Sequence, residues 1–327
     1  MKRLNYFVCA ALAVAAAVGC NEKEGPQDFP VVGEITLCGE STNAATNSWY
    51  PGEKVGVFVT SDGVPQVNLL YTPSEVCEDK STEANGAKYW MFGDPVGNVA
   101  LNASSEKAGF KQGVHNVYAY SPYNPAATDL TAVPMPDLTK QDETIFMGQT
   151  INPALSFIYS SVEVKEYTTA PVDLGTFKSL NFDLNTGSIE FKGCPESVTE
   201  LSLVKLIISA DKPLAYKNGT FNLVEEKING ESSEIEVITN QQIKFLPGQG
   251  FDMTTFESYD LYATNDPVKF AVVAPASTDD FKTMKFNFTG VLSDGSEYVG
   301  TDISPNVMNF GGTVLVTFGS NVVLTKK

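Results

Sequence analysis

The fold class of this chain is decided by Met284-Lys285-Phe286-Asn287-Phe288, together with Ser293-Asp294-Gly295-Ser296 and Glu297-Tyr298-Val299 shortly after it. The apolar residues of the first stretch alternate with polar ones, and this period of two is typical of a strand with one buried face. Asp-Gly tolerates the positive φ that a tight hairpin turn requires. The sequence therefore predicts two antiparallel strands joined at residues 293–296.

The same signals recur along the chain. Val55, Val57 and Val59 alternate with other residues ahead of Ser61-Asp62-Gly63, and Lys217-Asn218-Gly219-Thr220 predicts a further hairpin turn. The chain contains 26 Gly and 18 Pro, and no window after the first twenty residues has the 3.6-residue period of an amphipathic helix. Many short strands separated by turns are typical of β-sandwiches, so we predict an all-β protein.

The length of 327 residues suits two domains of ordinary size. We predict one β-sandwich domain over residues 20–195 and a second over 196–327, with the boundary at Gly193-Cys194-Pro195. A boundary near Thr168-Thr169-Ala170-Pro171 is the alternative.

Both ends of the chain contain alternating apolar residues that predict strands. The C-terminal set shares even positions and predicts one strand of about twelve residues, and its members are Val314, Val316, Phe318, Val322 and Leu324. The N-terminal set is Val31, Ile35 and Leu37. These are either edge strands that complete their own sandwiches or strands that are exchanged between subunits, since an extended strand adds to an open sheet edge through main-chain hydrogen bonds.

The N-terminus has the features of an export signal. A basic start, Met1-Lys2-Arg3, precedes an apolar stretch of about 15 residues that ends in Ala17-Val18-Gly19-Cys20. These last four residues resemble a bacterial lipobox, so we predict that residues 1–19 are a lipoprotein signal peptide and that Cys20 is lipidated. A plain secretory signal is the alternative. A membrane-spanning helix is not expected, because the stretch is shorter than the ~20 residues that span a bilayer.

The charge of the chain argues against binding to nucleic acid. The formal net charge is -17, and it becomes -19 once residues 1–19 are removed, because they contain Lys2 and Arg3 and no acid. Arg3 is the only arginine in the sequence. Phosphate neutralisation requires clustered Lys and Arg, so no nucleic-acid partner is expected.

The sequence contains no motif for catalysis, and we expect neither enzymatic activity nor a metal or cofactor. His115 is the only histidine, and it lies in a stretch that alternates like a strand. Cys38, Cys77 and Cys194 are an odd number of widely spaced cysteines, which favours free thiols over a disulfide framework or a zinc site. Asp183-Leu184-Asn185-Thr186-Gly187 lacks most of the oxygen ligands of a calcium loop.

Aromatic pairs leave two interpretations open. The residues concerned are Trp49-Tyr50, Tyr89-Trp90 and the set Tyr118, Tyr120 and Tyr123. If they are buried, they fill a sandwich core. If they are exposed, they are able to stack on sugar rings, and the protein would be a glycan-binding surface lipoprotein of a nutrient-capture system.

Trp49-Tyr50-Pro51-Gly52-Glu53-Lys54-Val55-Gly56-Val57-Phe58 resembles the W-x-x-G-[DE]-K-[IV]-G-[VL]-F segment of fimbrillin-like proteins, the subunits of type V pili. Val117–Tyr123 and Asp142–Gly148 are similar to two further, less specific segments of that family. The resemblance implies two tandem transthyretin-like Greek-key sandwich domains and palmitate-type lipid anchorage in the outer membrane with exposure at the cell surface. It also implies assembly with other pilin subunits or with copies of itself by strand exchange, and cell adhesion through a host protein or glycan.

In such subunits a surface protease, commonly arginine-specific, removes the first strand and opens a groove for a neighbour's C-terminal strand. The expected arginine would fall within residues 41–46, and none is present there. An anchor, an accessory or tip protein, and a subunit matured by another protease are therefore all open alternatives.

Mass spectrometry of the form isolated from the cell surface tests the lipidation prediction. We expect a mature N-terminus at Cys20 with bound acyl chains, and we expect Cys20→Ser to abolish both the acyl mass and the membrane association, because the chains are the anchor. The same spectrum reports any cleavage before Trp49. An unmodified Cys20 in the surface form would contradict lipidation.

Overall fold

The computed structural model describes residues 33–42, 48–61, 64–65, 67–84, 87–104, 109–110, 114–147, 150–165, 169–194, 200–252, 254–273, 278–310, 313–319 and 322–327. Over these residues the protein is almost entirely β, which confirms the predicted class. The strands before residue 165 are β1 (Gly33–Glu34), β2 (Leu37–Glu40), β3 (Val55–Ser61), β4 (Val64–Pro65), β5 (Leu69–Pro73), β6 (Thr82–Ala84), β7 (Ala87–Tyr89), β8 (Val99–Ala103), β9 (Gly109–Phe110), β10 (His115–Ser121), β11 (Val133–Pro134), β12 (Lys140–Gln141), β13 (Phe146–Met147), β14 (Thr150–Ile151) and β15 (Ile158–Val164).

The later strands are β16 (Val172–Thr176), β17 (Lys178–Ser179), β18 (Asn181–Asn185), β19 (Glu190–Lys192), β20 (Ser202–Ala210), β21 (Ala215–Asn222), β22 (Lys227–Ser233), β23 (Ile235–Asp252), β24 (Glu257–Thr264), β25 (Lys269–Val273), β26 (Phe286–Leu292), β27 (Glu297–Ile303), β28 (Asn306–Phe310), β29 (Thr313–Thr317) and β30 (Val323–Lys326). A 3₁₀ helix at Glu143–Ile145 and an α-helix at Thr278–Thr283 accompany them.

The N-terminal half is built on one large sheet with the strand order β16-β2-β8-β5-β3-β10-β15-β17, and β4 also pairs with β3. The sheet curls, so that β15 approaches β16, and the Ser160 hydroxyl donates a hydrogen bond of 2.5 Å to the Leu174 carbonyl. The enclosed core contains Val55, Val57 and Val59, as their alternation predicts. The curled sheet therefore buries one face against itself, which is how a single sheet forms two layers.

The C-terminal half is a sandwich of two sheets. One has the order β12-β23-β20-β26-β27-β30-β19-β24, and the other has the order β25-β18-β29-β28. Their inner faces share one hydrophobic core, in which Phe270 of the smaller sheet lies 6.4 Å from Phe288 of the larger one, measured between ring centroids. The larger sheet also closes on itself, because β24 pairs with both β19 and β23.

The chain between β10 and β15 leaves the first sheet and packs on the C-terminal half. There β11 pairs with β21, and β12 pairs with β23. Leu138, Ile145 and Ile151 of this segment are buried in the C-terminal core. The two halves are therefore interlocked by a segment that crosses over and returns.

The predicted boundary at Gly193-Cys194-Pro195 falls after β18 and β19. However, β18 pairs with β25 and β29, and β19 pairs with β24 and β30, all of which follow residue 196. The sheets thus divide between β17 and β18, where Ser179 still pairs with β15 of the first sheet. We propose that any division into two domains lies there, near residue 180, with the crossing segment assigned to the second unit.

One predicted hairpin is confirmed and one is wrong. β26 and β27 are joined by Ser293–Ser296, with Gly295 at φ +83° and with the Asp294 carboxylate accepting a hydrogen bond from the Ser296 amide. By contrast, Lys217–Thr220 lies inside β21, where the register shifts against β22 and Asn218 has φ +52°. Asn218 thus lies in a β-bulge and not in a hairpin turn. The sequence signal is the same for both, because many bulges and many turns contain a residue with positive φ.

The C-terminal segment is two strands, not the single strand that its alternation predicts. β29 belongs to the smaller sheet and β30 to the larger one, so the chain passes from one layer of the sandwich to the other between them. Gly319, at φ +58°, begins the crossing, and a Cβ on Gly187 would lie 1.8 Å from its carbonyl oxygen. The crossing therefore depends on a close approach of two backbones that only glycine permits.

A buried carboxyl group connects the segment between β10 and β15 to the smaller sheet of the C-terminal half. Oδ2 of Asp183 accepts a hydrogen bond of 3.0 Å from the Ile151 amide, whereas its Oδ1 is buried without a hydrogen-bond partner. The charged form is disfavoured by desolvation, so burial raises the pKa of Asp183 to about 6, although the hydrogen bond and the charge of Lys269 oppose this shift.

Gly187→Ala should lower the free energy of unfolding by about 3 kcal/mol, because the methyl group adds a backbone clash to the cost of a left-handed residue. Gly97→Ala is a matched control, since Gly97 has the same φ of +66° and no atom within 4 Å of its Cβ position. We expect about 1 kcal/mol for the control in urea denaturation. Equal losses in the two variants would contradict the close approach.

Asp183→Asn should stabilise the protein at pH 8 by about 1–3 kcal/mol, because a pKa that folding raises to about 6 makes the ionised folded state costly. For such a group the wild-type contribution is most favourable below pH 4, near the unfolded pKa, and is lost as pH rises through 6. The difference between variant and wild type should therefore shrink towards pH 4 in denaturation curves. A difference that does not change with pH, or that matches that of the exposed Asp94→Asn, would refute this assignment.

Candidate functional site: the terminal strands

The N-terminal strand β2 occupies an interior position in the first sheet. It pairs antiparallel with β8 and parallel with β16, so both of its edges are hydrogen bonded. Ile35 and Leu37 are buried in the core, with 3% and 1% of their surface exposed. Val31, the third predicted residue of this set, lies outside the described residues. The prediction that Ile35 and Leu37 share one face is confirmed. The alternative that this is an edge strand is wrong, because β2 is paired on both sides.

The sheet is shaped closely around β2. Gly39 has no room for a side chain, because a Cβ there would lie 2.9 Å from the ring of Phe177. The Trp49 indole N–H donates a hydrogen bond of 3.0 Å to the Gly39 carbonyl, and the Phe177 amide donates one of 2.9 Å to the Glu40 carbonyl. Ser41, at the next inward position, is fully buried. In the single chain, the slot that β2 fills therefore holds apolar residues at the first two inward positions and Gly39 and Ser41 at the next two.

The residues that form this slot were not identified from the sequence. Phe177 and the β16 residues Val172 and Leu174 are far from β2 along the chain, and all three are buried in the same core. Their alternation signals a strand, but nothing in it indicates which strand they pair with.

Four of the five predicted C-terminal residues are buried in the second core. Val316, Phe318, Val322 and Leu324 are each at most 1% exposed, and Phe318 packs edge-on against Phe286 and Phe288 with ring centroids 4.9 and 5.1 Å apart. Val314 lies opposite Asn309 in the β28–β29 pair. Since β30 lies between β27 and β19, and β29 lies between β28 and β18, the C-terminal strands are interior as well. The structure thus keeps the two terminal sets apart, each in its own core.

The side chains with catalytic potential lie in buried or partly buried positions. His115 is buried in β10, which is paired on both sides. Cys38, Cys77 and Cys194 are free thiols, and burial raises the pKa of each of them, which disfavours the reactive thiolate. Within the described part of the chain, no group of three His, Cys, Asp or Glu side chains is placed to hold a metal ion.

The aromatic residues divide between the two interpretations. Trp49, Tyr50 and Tyr120 are buried. Tyr89 is 54% exposed, and Trp90 beside it is half-buried.

Over the described residues, no helix has the length and apolar character to span a membrane.

No protein-family profile and no curated protein matches the chain. Several solved structures are similar to it. A proposed cell adhesion protein from Bacteroides uniformis is 15% identical with a TM-score of 0.45, covering 88% of this chain and 97% of that one. A fimbrial assembly protein from Parabacteroides distasonis is 13% identical with a TM-score of 0.37, covering 86% and 93%. A proposed cell adhesion protein from P. distasonis is 10% identical with a TM-score of 0.34, covering 90% and 96%.

Proposed function

We propose that this protein is an outer-surface lipoprotein that acts as a fimbrial subunit or a fimbria-associated adhesin and that has no catalytic activity. Acyl chains on Cys20 would hold it in the outer membrane, and it would assemble with other subunits by exchange of β-strands. The resemblance of Trp49–Phe58 to fimbrillin-like proteins supports the class, and the placement of β2 supports the mode of assembly.

The observation that supports strand exchange is that the first strand of the first sheet, β2, is an interior one. β2 precedes every other strand of that sheet in the chain, so one cleavage after it would detach it from the rest. Its loss would expose the apolar surface that Ile35 and Leu37 cover, which corresponds to about 3–6 kcal/mol. It would also leave the facing edges of β8 and β16 without partners, and open edges of this kind bind added strands.

The C-terminal segment is the donor in this proposal. Its alternating residues, Val314 to Leu324, offer the period of two that such a slot requires. In the single chain this segment completes its own sandwich, with Phe318 and Leu324 fully buried. Donation therefore requires the segment to leave its own core, and we propose that it does so only during assembly, where the contacts with a neighbour replace those it gives up.

Locking β30 in its own sheet tests this proposal. Val299 and Thr325 lie opposite each other in the antiparallel β27–β30 pair, so V299C/T325C, in a chain whose three native thiols are replaced by Ala, should form a disulfide across them. In a chain from which β2 has been cleaved, we expect the oxidised protein to stay monomeric in analytical ultracentrifugation and the reduced protein to assemble, because the slot is open in both forms and the covalent bond prevents donation in the oxidised one.

The control pair is K217C/E231C, two exposed facing positions in the β21–β22 hairpin. This disulfide leaves both terminal strands free, so the oxidised and reduced control proteins should assemble equally. If the oxidised β30 lock assembles as well as its reduced form, then the C-terminal strand is not the exchanged element.

A further inference from the structure

A groove of about 580 Å³ lies between the two halves of the protein. One wall comes from the N-terminal half and contains Lys88 and Trp90, which follow the β6–β7 hairpin. The opposite wall comes from Val237–Gln241 of β23 and from Asp266–Lys269. A groove of this size accommodates a ligand of two or three sugar rings or a drug-sized molecule.

Trp90 is the aromatic surface of this groove. The two tryptophans of the chain differ sharply, since Trp49 is fully buried whereas Trp90 is half-buried and lines the groove. The Trp90 ring is stacked at 19° to Phe92, with centroids 6.3 Å apart. The backbone is held before Trp90 by the Thr82–Tyr89 pair of β6 and β7 and after it by the Asp79–Phe92 bridge. The Phe92 contact thus restrains the indole where it lines the groove, and this restraint lowers the entropy lost when a ligand packs on it.

Lys88 lies over the Trp90 ring. Its Nζ lies 3.7 Å from the ring centroid and 3.4 Å from Oδ2 of Asp79. Because the lysine side chain is exposed and already has an ionic partner beside the ring, it can leave the ring without losing that partner. The stacking surface is therefore accessible to a ligand that displaces one flexible side chain.

The polar groups of the groove are balanced in charge. The lining contains two lysines, Lys88 and Lys269, and two acids, Glu143 and Asp266, together with the Gln241 amide. This balance contrasts with the whole chain, whose formal net charge is -17. A site for an anion would show an excess of lysine, and a site for a cation would show an excess of acid. Mixed donors and acceptors without net charge suit a neutral ligand rich in hydroxyl groups.

We propose that this groove binds a neutral saccharide, with the apolar face of one pyranose ring packed on Trp90 and with sugar hydroxyls hydrogen bonded to Gln241 and Asp266. An aromatic plane combined with carboxylate and amide groups matches the two properties of a pyranose, an apolar C–H face and an equatorial rim of hydroxyls. The site would supply the ligand of the adhesin, and in that sense it rests on the adhesin part of the proposed function, but it lies apart from both terminal strands.

Tryptophan fluorescence of the purified full-length mature chain tests the site directly, because Trp49 is buried and only Trp90 reports on the groove. Cellohexaose, maltohexaose, mannohexaose and chitohexaose are the neutral probes, and an oligogalacturonate is the acidic one. We expect a saturable change in emission with at least one neutral probe. Failure of every neutral probe at millimolar concentration, or binding of the acidic probe alone, overturns the proposal.

Variants identify the residues that bind. Isothermal titration should show affinity about tenfold weaker for Trp90→Ala, with partial recovery in Trp90→Phe, and about threefold weaker for Gln241→Ala. Tyr89→Ala is the matched control, since Tyr89 is an exposed neighbour that does not line the groove, and it should bind as the wild type does. Equal affinity in Trp90→Ala and wild type would overturn the site.

Assembly separates this proposal from the previous one. Trp90→Ala should form the same oligomers as the wild type, and the oxidised V299C/T325C lock should bind the saccharide unchanged. If saccharide binding holds while the lock has no effect on assembly, then strand exchange is wrong and the groove stands. If only the binding fails, then the groove is wrong and strand exchange stands.

Discussion

The arrangement of the two halves depends on an aromatic cluster that closes the outer face of the first sheet. Phe157 and Tyr159, next to and on β15, contact Phe221 of β21 with ring centroids 5.5 and 4.6 Å apart, and Tyr120 of β10 stacks on Phe157 at 5.9 Å. Strands β3 and β10 are consequently buried on both faces, since Val57 and Ala119 face the inner core while Phe58 and Tyr120 face this cluster. Aromatic pairs contribute beyond their buried area, so the junction is a core in its own right.

The cluster also sets what the junction requires of its neighbours. Gly56 lies opposite Tyr120, and a Cβ there would be 2.2 Å from the Tyr120 ring, so the glycine of the Trp49–Phe58 segment makes room for it. Burial raises the pKa of Tyr120 to about 12, and its hydroxyl accepts a hydrogen bond from the Asn68 amide. At the rim, the Tyr159 hydroxyl donates to Glu226, which also pairs with Lys178. The two contacts to Glu226 join the halves at this rim.

Assembly and ligand binding are assigned to different parts of the molecule. The terminal strands β2 and β30 each complete one core from an interior position, so exchange of either would replace a buried surface and not merely extend an edge. The groove lies between the halves, and the residues proposed to contact the sugar, Trp90, Gln241 and Asp266, belong to neither core. Under the two proposals, exchange of a terminal strand would leave the groove unchanged.

Local sequence patterns were sufficient to predict the all-β class, the strands at Val55–Ser61 and Phe286–Leu292, the turn at Ser293–Ser296 and the burial of Ile35, Leu37, Phe318 and Leu324. These features are local, because a period of two and an Asp-Gly pair act within a few residues. Long-range packing, by contrast, makes Lys217–Thr220 a bulge, divides the segment from Thr313 to Lys326 between two sheets, and brings Trp90 and Gln241 to one groove. Alternation reports that one face of a strand is buried but not against which sheet, and positive φ serves bulges and turns equally. Pairing partners are set by packing between residues distant in the chain, such as β2 with β16, and no local pattern encodes that choice.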